Sequence, residues 1–238
     1  MDELKPTLMA RGRRSMAYRG VWRTLRVGAM LVRYRLRQGW RAPRPHGFDL
    51  EYGTETVAKA ALPDEPEQAR RQEPIDTVQF ATMMGVLASA PGFDFSEFTF
   101  IDLGAGRGRA MMLAAQYSFA AIVGIEYSRE LHAGARTNLA LYAASRYRGR
   151  GCHRLAIVHS DVLAWPLPEV PTVFYCFESF PDLATMQRMA DRVRASLAAA
   201  PRPVYVVYAG DWFRGAWEAA GDFAAMGPTD NWYQVYRA

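Results

Sequence analysis

Phe98-Thr-Phe-Ile-Asp-Leu-Gly-Ala-Gly-Arg-Gly-Arg109, followed by Ala121-Ile-Val-Gly-Ile-Glu126, decides the fold of this chain. Phe98, Phe100 and Ile101 form a short apolar run that ends in Asp102, and glycines then stand at the alternate positions 104, 106 and 108. The pattern predicts a buried strand, a tight turn and a helix start. Glycine is needed there because the backbone can take positive φ and a ligand can approach where a Cβ would clash. The helix is expected from Arg109 to Ser118, with Met111, Met112 and Ala115 on its buried side and Phe119 after them. A second strand, from Ala121 to Ile125, ends at Glu126. An acid about 20 residues beyond such glycines is placed to accept both hydroxyls of a ribose.

The glycine spacing narrows the ligand class. A dinucleotide fingerprint needs a third glycine where Arg109 stands, and the Gly-Lys-Ser/Thr ending of a Walker loop does not occur. What occurs is acid-x-Gly-x-Gly-x-Gly from Asp102 to Gly108, and it resembles motif I of the class I S-adenosylmethionine-dependent methyltransferases. Glu126 matches the ribose-binding acid of that family. The resemblance implies an α/β, Rossmann-like sheet of seven strands, mostly parallel with an antiparallel last strand. It also implies S-adenosyl-L-methionine as cofactor. Asp102, Gly104, Ala105, Gly106 and Gly108 would hold the methionine end, and Glu126, with Tyr127 beside it, the ribose.

Downstream, the alternation of elements continues. Leu131, Ala135, Leu139 and Tyr142 predict a helix over 128–144, and Leu155 to His159 a third strand that ends in Ser160-Asp161-Val162. By resemblance, Asp161 accepts from the adenine amino group and the Val162 N–H reaches the ring; the plain alternative is a turn-forming Asp after a strand. Thr172 to Cys176 is almost wholly apolar, as a strand buried on both faces should be. It runs into Phe177-Glu178-Ser179-Phe180-Pro181, where the family carries Asn-Pro-Pro-Tyr or Asn-Pro-Phe. Phe177 and Phe180 are candidate aromatic walls around a substrate cation. Glu178 is the candidate catalytic residue, since a carboxylate can bind an ammonium or accept a proton from the nucleophile. The loss of Asn-Pro is equally the mark of a changed or decayed activity. A helix over 182–199, a strand over 204–208, a short helix over 212–220 and an antiparallel pair about 227–231 complete the expected domain.

Upstream, residues 42–72 are rich in proline and turn acidic, which predicts a linker and irregular structure. Asp76 is expected to cap a helix from about Thr77 to Ala88, with Gln79 three residues later. The phrases Phe48-Asp-Leu-Glu-Tyr-Gly-Thr-Glu55 and Glu73-Pro-Ile-Asp-Thr77 are distantly similar to those before motif I in the non-SET histone-lysine methyltransferases. In that family the upstream loop closes over the methionine end of the cofactor, and by this resemblance Glu73 lies toward the substrate. Three regions are therefore expected: a basic helical arm over 1–45, an irregular linker or lid over 46–74, and the methyltransferase domain over 75–238.

Charge sets the arm apart. The chain has 29 Lys and Arg against 24 Asp and Glu, yet residues 1–45 hold twelve of the basic side chains and only two acids. The balance is +10 in the arm and −5 in residues 46–238, so the basic character belongs to the arm and is not to be read as nucleic-acid binding by the whole chain. Tyr18, Trp22, Leu25, Ala29, Val32, Leu36 and Trp40 recur at helical spacing beside arginines, predicting a basic amphipathic helix of about six turns. Such a helix can lie on an anionic membrane surface, meet a partner or a second copy through residues 16–40, or cap its own domain. Its apolar runs are too short for a membrane span or for the core of a signal peptide. The two cysteines and four histidines lack metal-ligand spacing, so no metal is expected, and a reducing, cytoplasmic setting is. The function expected is methyl transfer to an amine, with a protein lysine as one acceptor. The alternatives are a small-molecule N- or O-methyltransferase and a decayed cofactor-binding protein with a membrane- or nucleic-acid-binding arm.

Overall fold

A computed structural model describes residues 21–38, 46–57, 74–146, 148–177, 180–210, 212–227 and 232–238. Seven strands form one sheet: β1 (Thr99–Leu103), β2 (Ala121–Glu126), β3 (Leu155–His159), β4 (Thr172–Phe177), β5 (Val204–Ala209), β6 (Ala224–Met226) and β7 (Tyr233–Arg237). Their order is β3-β2-β1-β4-β5-β7-β6, and β7 runs opposite to the other six. That is the mixed sheet the sequence predicts. The chain reverses its direction of winding between β1 and β4, and open sheets of this kind bind ligands beyond the carboxyl ends of the strands at that point.

The central strands read as apolar runs because both sheet faces are covered. On one face Phe100 and Tyr175 stack at 5.7 Å between ring centroids, and Phe80 meets both, at 6.0 and 5.6 Å. Phe80 comes from a helix over Thr77–Ala88 whose N-terminus is capped as expected, Asp76 Oδ1 accepting from the Val78 N–H at 2.8 Å. On the other face a helix over Leu183–Ala199 lays Met186, Met189 and Val193 against Phe174, Val206 and Tyr236.

With the helices numbered in chain order, α1 is Val21–Gln38, α2 Gly47–Tyr52, α3 Thr77–Ala88, α4 Arg109–Ala114, α5 Arg129–Ala144, α6 Leu183–Ala199 and α7 Arg214–Ala219. Two of these differ from the expectation. The stretch read as irregular contains α2, which buries Phe48 and Tyr52; Tyr52 packs on Tyr142 of α5 at 4.9 Å. The helix after the glycines stops at Ala114, not Ser118: the Gln116 and Tyr117 N–H groups turn to Leu113 O and Ala114 O, three residues back, and Tyr117 O then accepts from the Cys152 N–H at 2.8 Å. For α1, Tyr18 and Trp40 lie outside the described residues.

α1 turns outward the apolar stripe that the spacing identifies. Arg23 and Arg26 both pair with the buried carboxylate of Glu51, and Arg23 lies 5.9 Å from the Tyr52 ring. The half-buried side of the helix carries Val27, Met30, Leu31 and Tyr34, while Trp22, Leu25, Val32 and Leu36 face solvent. The chain therefore has two apolar stripes on one helix, and the stripe that the spacing identified is the outer one.

Candidate functional site

Gly104, Gly106 and Gly108 have φ of 81°, 53° and 82°. All three are left-handed, the conformation that a side chain disfavours and that the sequence pattern anticipates. The turn folds back on the end of β2: the Gly104 and Ala105 N–H groups both donate to Ile125 O at 2.9 Å. Gly106 donates its N–H to Glu126 Oε2 at 2.7 Å, and Ser128 donates to Oε1 at 2.8 Å. Glu126, 6% exposed, is thus oriented by two backbone donors from the two segments that meet at the strand ends.

Gly124 makes this approach possible and carries no mark in the glycine motif. It lies in register with Asp102, and a Cβ there would sit 2.8 Å from Ala105 Cβ and 2.4 Å from Met111 Sδ. Met111 can swing its thioether aside, but Ala105 belongs to the turn and must carry the backbone with it. Gly124→Ala is therefore expected to cost about 2 kcal/mol. In a chain of this size that lowers the melting temperature by roughly 4–8 °C, which calorimetry or circular dichroism would read. An unchanged melting temperature would mean the turn has room to retreat.

Asp102 lies inside β1, on the same sheet face as Phe100, and is 2% exposed. Its Oδ2 and the hydroxyl of Tyr175, its register neighbour on β4, are buried with no hydrogen-bond partner among the described residues. Burial, and then the nearby charge of Glu126, push the Asp102 carboxyl up to about 8. An orphaned acid of this kind suits a ligand that brings its own cation or donor.

Above this floor lies the segment 46–57, held by three side chains that sequence reasoning did not single out. Arg109, 3% exposed, donates from Nη2 to Asp49 Oδ2 at 2.9 Å and from Nε to Thr56 Oγ1 at 2.6 Å, with Nη1 2.5 Å from His46 Nδ1. His46 Nδ1 also accepts from the Phe48 N–H, so its proton sits on Nε2. Arg109 further lies 5.1 Å from the Phe48 ring. Asn138 of α5 clasps Glu55 by both backbone groups, at 2.9 and 3.0 Å, and donates to Arg107 O at 3.0 Å. Arg107 in turn donates to Glu55 O at 3.1 Å. The partners are 31 to 83 residues apart in sequence, and the only signal upstream was the Tyr-Gly-Thr-Glu phrase itself.

The remaining candidates are dispersed. Asp161 is exposed and its Oδ1 accepts from the Leu163 N–H at 2.8 Å, which is the turn-forming role. Val162 O accepts from Arg192 Nη1 at 2.6 Å. Tyr127 is 76% exposed, and its carbonyl accepts from His159 Nε2 at 2.9 Å. Phe177 is half-buried against the Phe100 face, but Phe180 is buried among Phe174 and Met186 on the opposite face. The two aromatics therefore do not form one wall. Glu73, Glu178 and Ser179 lie outside the described residues. Among the described residues no group of His, Cys, Asp or Glu is arranged to hold a metal ion.

At the carboxyl ends of β1 and β2 the chain thus places a left-handed glycine turn, a buried acid whose Oδ2 has no partner among the described residues and a second acid fixed by two N–H donors. Such a site can hold a ligand with a cationic part and a pair of vicinal hydroxyls. No protein-family model and no curated protein sequence matches the chain. Among solved structures it is similar to an RNA methyltransferase from Salinibacter ruber in complex with S-adenosyl-L-homocysteine: 20% identity, 69% of this chain and 92% of that one covered, TM-score 0.45. It is also similar to magnesium protoporphyrin IX methyltransferase from Synechocystis with bound S-adenosylmethionine, at 12% identity, 66% and 75% coverage and TM-score 0.44. A ribosomal-protein methylase from Lactobacillus delbrueckii is similar at 15% identity, 68% and 77% coverage and TM-score 0.46.

Proposed function

We propose that the chain is an S-adenosylmethionine-dependent methyltransferase that methylates an amine, with a protein lysine as the acceptor class. The observation that carries this is the junction of the glycine turn with Glu126, in a sheet ordered β3-β2-β1-β4-β5-β7-β6. The Gly106 and Ser128 N–H groups fix the Glu126 carboxylate at the end of β2, and an acceptor-only carboxylate placed there is suited to receive ribose hydroxyls. Asp102 would supply the counter-charge at the methionine end, and the left-handed glycines give the backbone its closest approach. Asp161 and Val162 would face the adenine. The cofactor, when bound, supplies a methyl group already activated on a sulfonium.

What is asked of the protein is then alignment and exclusion of water, which the segment 46–57 serves by covering the turn. The amine acceptor rests on the lysine-methyltransferase resemblance and on Glu178, a carboxylate suited to orient an ammonium and to take its proton. Domain boundaries follow the same division, with the arm in 1–45, the covering segment in 46–74 and the catalytic body in 75–238.

Calorimetric titration of S-adenosylmethionine and S-adenosylhomocysteine tests the cofactor. Wild type should bind both, and Glu126→Ala should bind about thirtyfold or more weakly, the loss of charged hydrogen bonds worth about 2 kcal/mol or more. Absence of binding to the wild type would refute the proposal. The acceptor is tested by transfer of a labelled methyl group into a protein extract. Prior acetylation of lysines should abolish labelling; labelling that persists would exclude lysine.

A further inference from the structure

We infer that α1 docks the protein on an anionic lipid surface, lying in the interface with its outer apolar stripe immersed. Trp22 is 86% exposed, Leu36 75%, Leu25 60% and Val32 55%, a concentration of bare apolar side chains that a surface helix rarely presents to water. At 100° per residue these four and Ala29 fall on one side of the helix. Gly28 belongs to the same exposed region: a Cβ built there meets nothing within 4 Å.

The rest of the helix is already committed to the body. Arg23 and Arg26 reach inward to Glu51, so the helix is clamped on the fold while its outer stripe stays uncovered. Exposed Arg33 and Arg37 flank that stripe, and α1 contains no acidic residue. Two copies meeting stripe to stripe would bring these arginines together without a carboxylate to receive them. Nucleic acid would satisfy the arginines but leave Trp22, Leu25, Val32 and Leu36 in water. An anionic bilayer satisfies both, since the stripe enters the acyl boundary and the arginines meet lipid phosphates. The chain around α1 reinforces the charge, because residues 1–45 carry a balance of +10. No helix among the described residues is long and apolar enough to cross a membrane, so the contact is one of lying on the surface.

Co-sedimentation of the full chain with vesicles tests the inference. Vesicles of equal parts phosphatidylcholine and phosphatidylglycerol should retain the protein at low salt, with clear weakening at high salt. Pure phosphatidylcholine vesicles should retain about tenfold less or lower. The Trp22→Ser/Leu36→Ser variant, altered only at exposed positions, should melt as wild type does and lose about tenfold or more of the vesicle affinity. Arg33→Gln/Arg37→Gln should lose the salt-sensitive part. Failure to bind the anionic vesicles, or equal binding by the serine variant, would overturn the inference. So would a concentration-dependent dimer that the serine variant abolishes, or duplex RNA displacing the vesicles.

Discussion

Asp102→Asn is expected to stabilise the unliganded protein at alkaline pH and to weaken its ligand binding at the same time. The carboxyl is 2% exposed, its Oδ2 has no partner among the described residues, and burial and the charge of Glu126 push it up to about 8. In the unfolded chain the same group titrates near its ordinary 3.8. Between those two values the native state therefore holds a proton that the unfolded state has lost. Stability must fall as pH rises through that window, by at most about 1.4 kcal/mol for each pH unit, and level off above it. Asparagine has no proton to lose and can donate as well as accept, so this slope disappears in the variant. Denaturant midpoints measured from about pH 5 to pH 9 should coincide most closely at the acid end and separate in favour of the variant as pH rises. Parallel curves would mean that Asp102 ionises in the native state at no cost. Ligand binding should move the opposite way. A cation placed beside Asp102 favours its ionised form, so the asparagine variant should bind S-adenosylmethionine about tenfold more weakly, and saturating ligand should flatten the wild-type slope.

The contrast between Asp102 and Glu126 shows which parts of the site were legible. Glycines at alternate positions and an acid after the next strand are local signals, and the strand-to-helix alternation around them predicts the sheet. Gly124 was not marked, since its role depends on Met111 and Ala105 arriving from another element. The clamp on residues 46–57 was equally invisible, because Arg109 meets His46, Asp49 and Thr56 across 53 to 63 residues and its sequence neighbourhood reads only as a helix start. For α1 the periodicity was legible, but which side of the helix turns inward was not. Two stripes alternate around the helix, and the buried Glu51 carboxylate, which takes Arg23 and Arg26, selects the one that turns inward. Asp161 was read in two ways, and the hydrogen bond from Leu163 is the turn-forming one.

Arg109→Met should destabilise the fold by about 3–5 kcal/mol, because it breaks a buried ion pair by removing one member. The Arg109 and Asp49 side chains are 3% and 10% exposed, so the carboxylate left behind has little access to water. Thr54 and Thr56 still donate hydroxyls to Asp49, at 2.8 and 2.9 Å, but neither carries charge. Methionine preserves helix propensity and much of the volume, so the loss is assigned to the guanidinium and not to α4. Lysine should not rescue, since one ammonium cannot replace a planar fork that reaches Asp49, Thr56 and the His46 ring together. Pairing the change with Asp49→Asn should cost clearly less than the sum of the two single changes, with a coupling of about 1–3 kcal/mol. The damage should also be local before it is global. Hydrogen exchange at the Glu55 and Gly53 amides, bonded to Asn138 Oδ1 and Asp49 O, should accelerate under conditions where the amides of β4 remain protected. Acceleration confined to that segment, accompanied by weaker cofactor binding, would identify it as the cover of the glycine turn. Unchanged exchange and an unchanged melting temperature would mean that packing of Phe48 and Tyr52 against Tyr142 holds the segment without the ion pair.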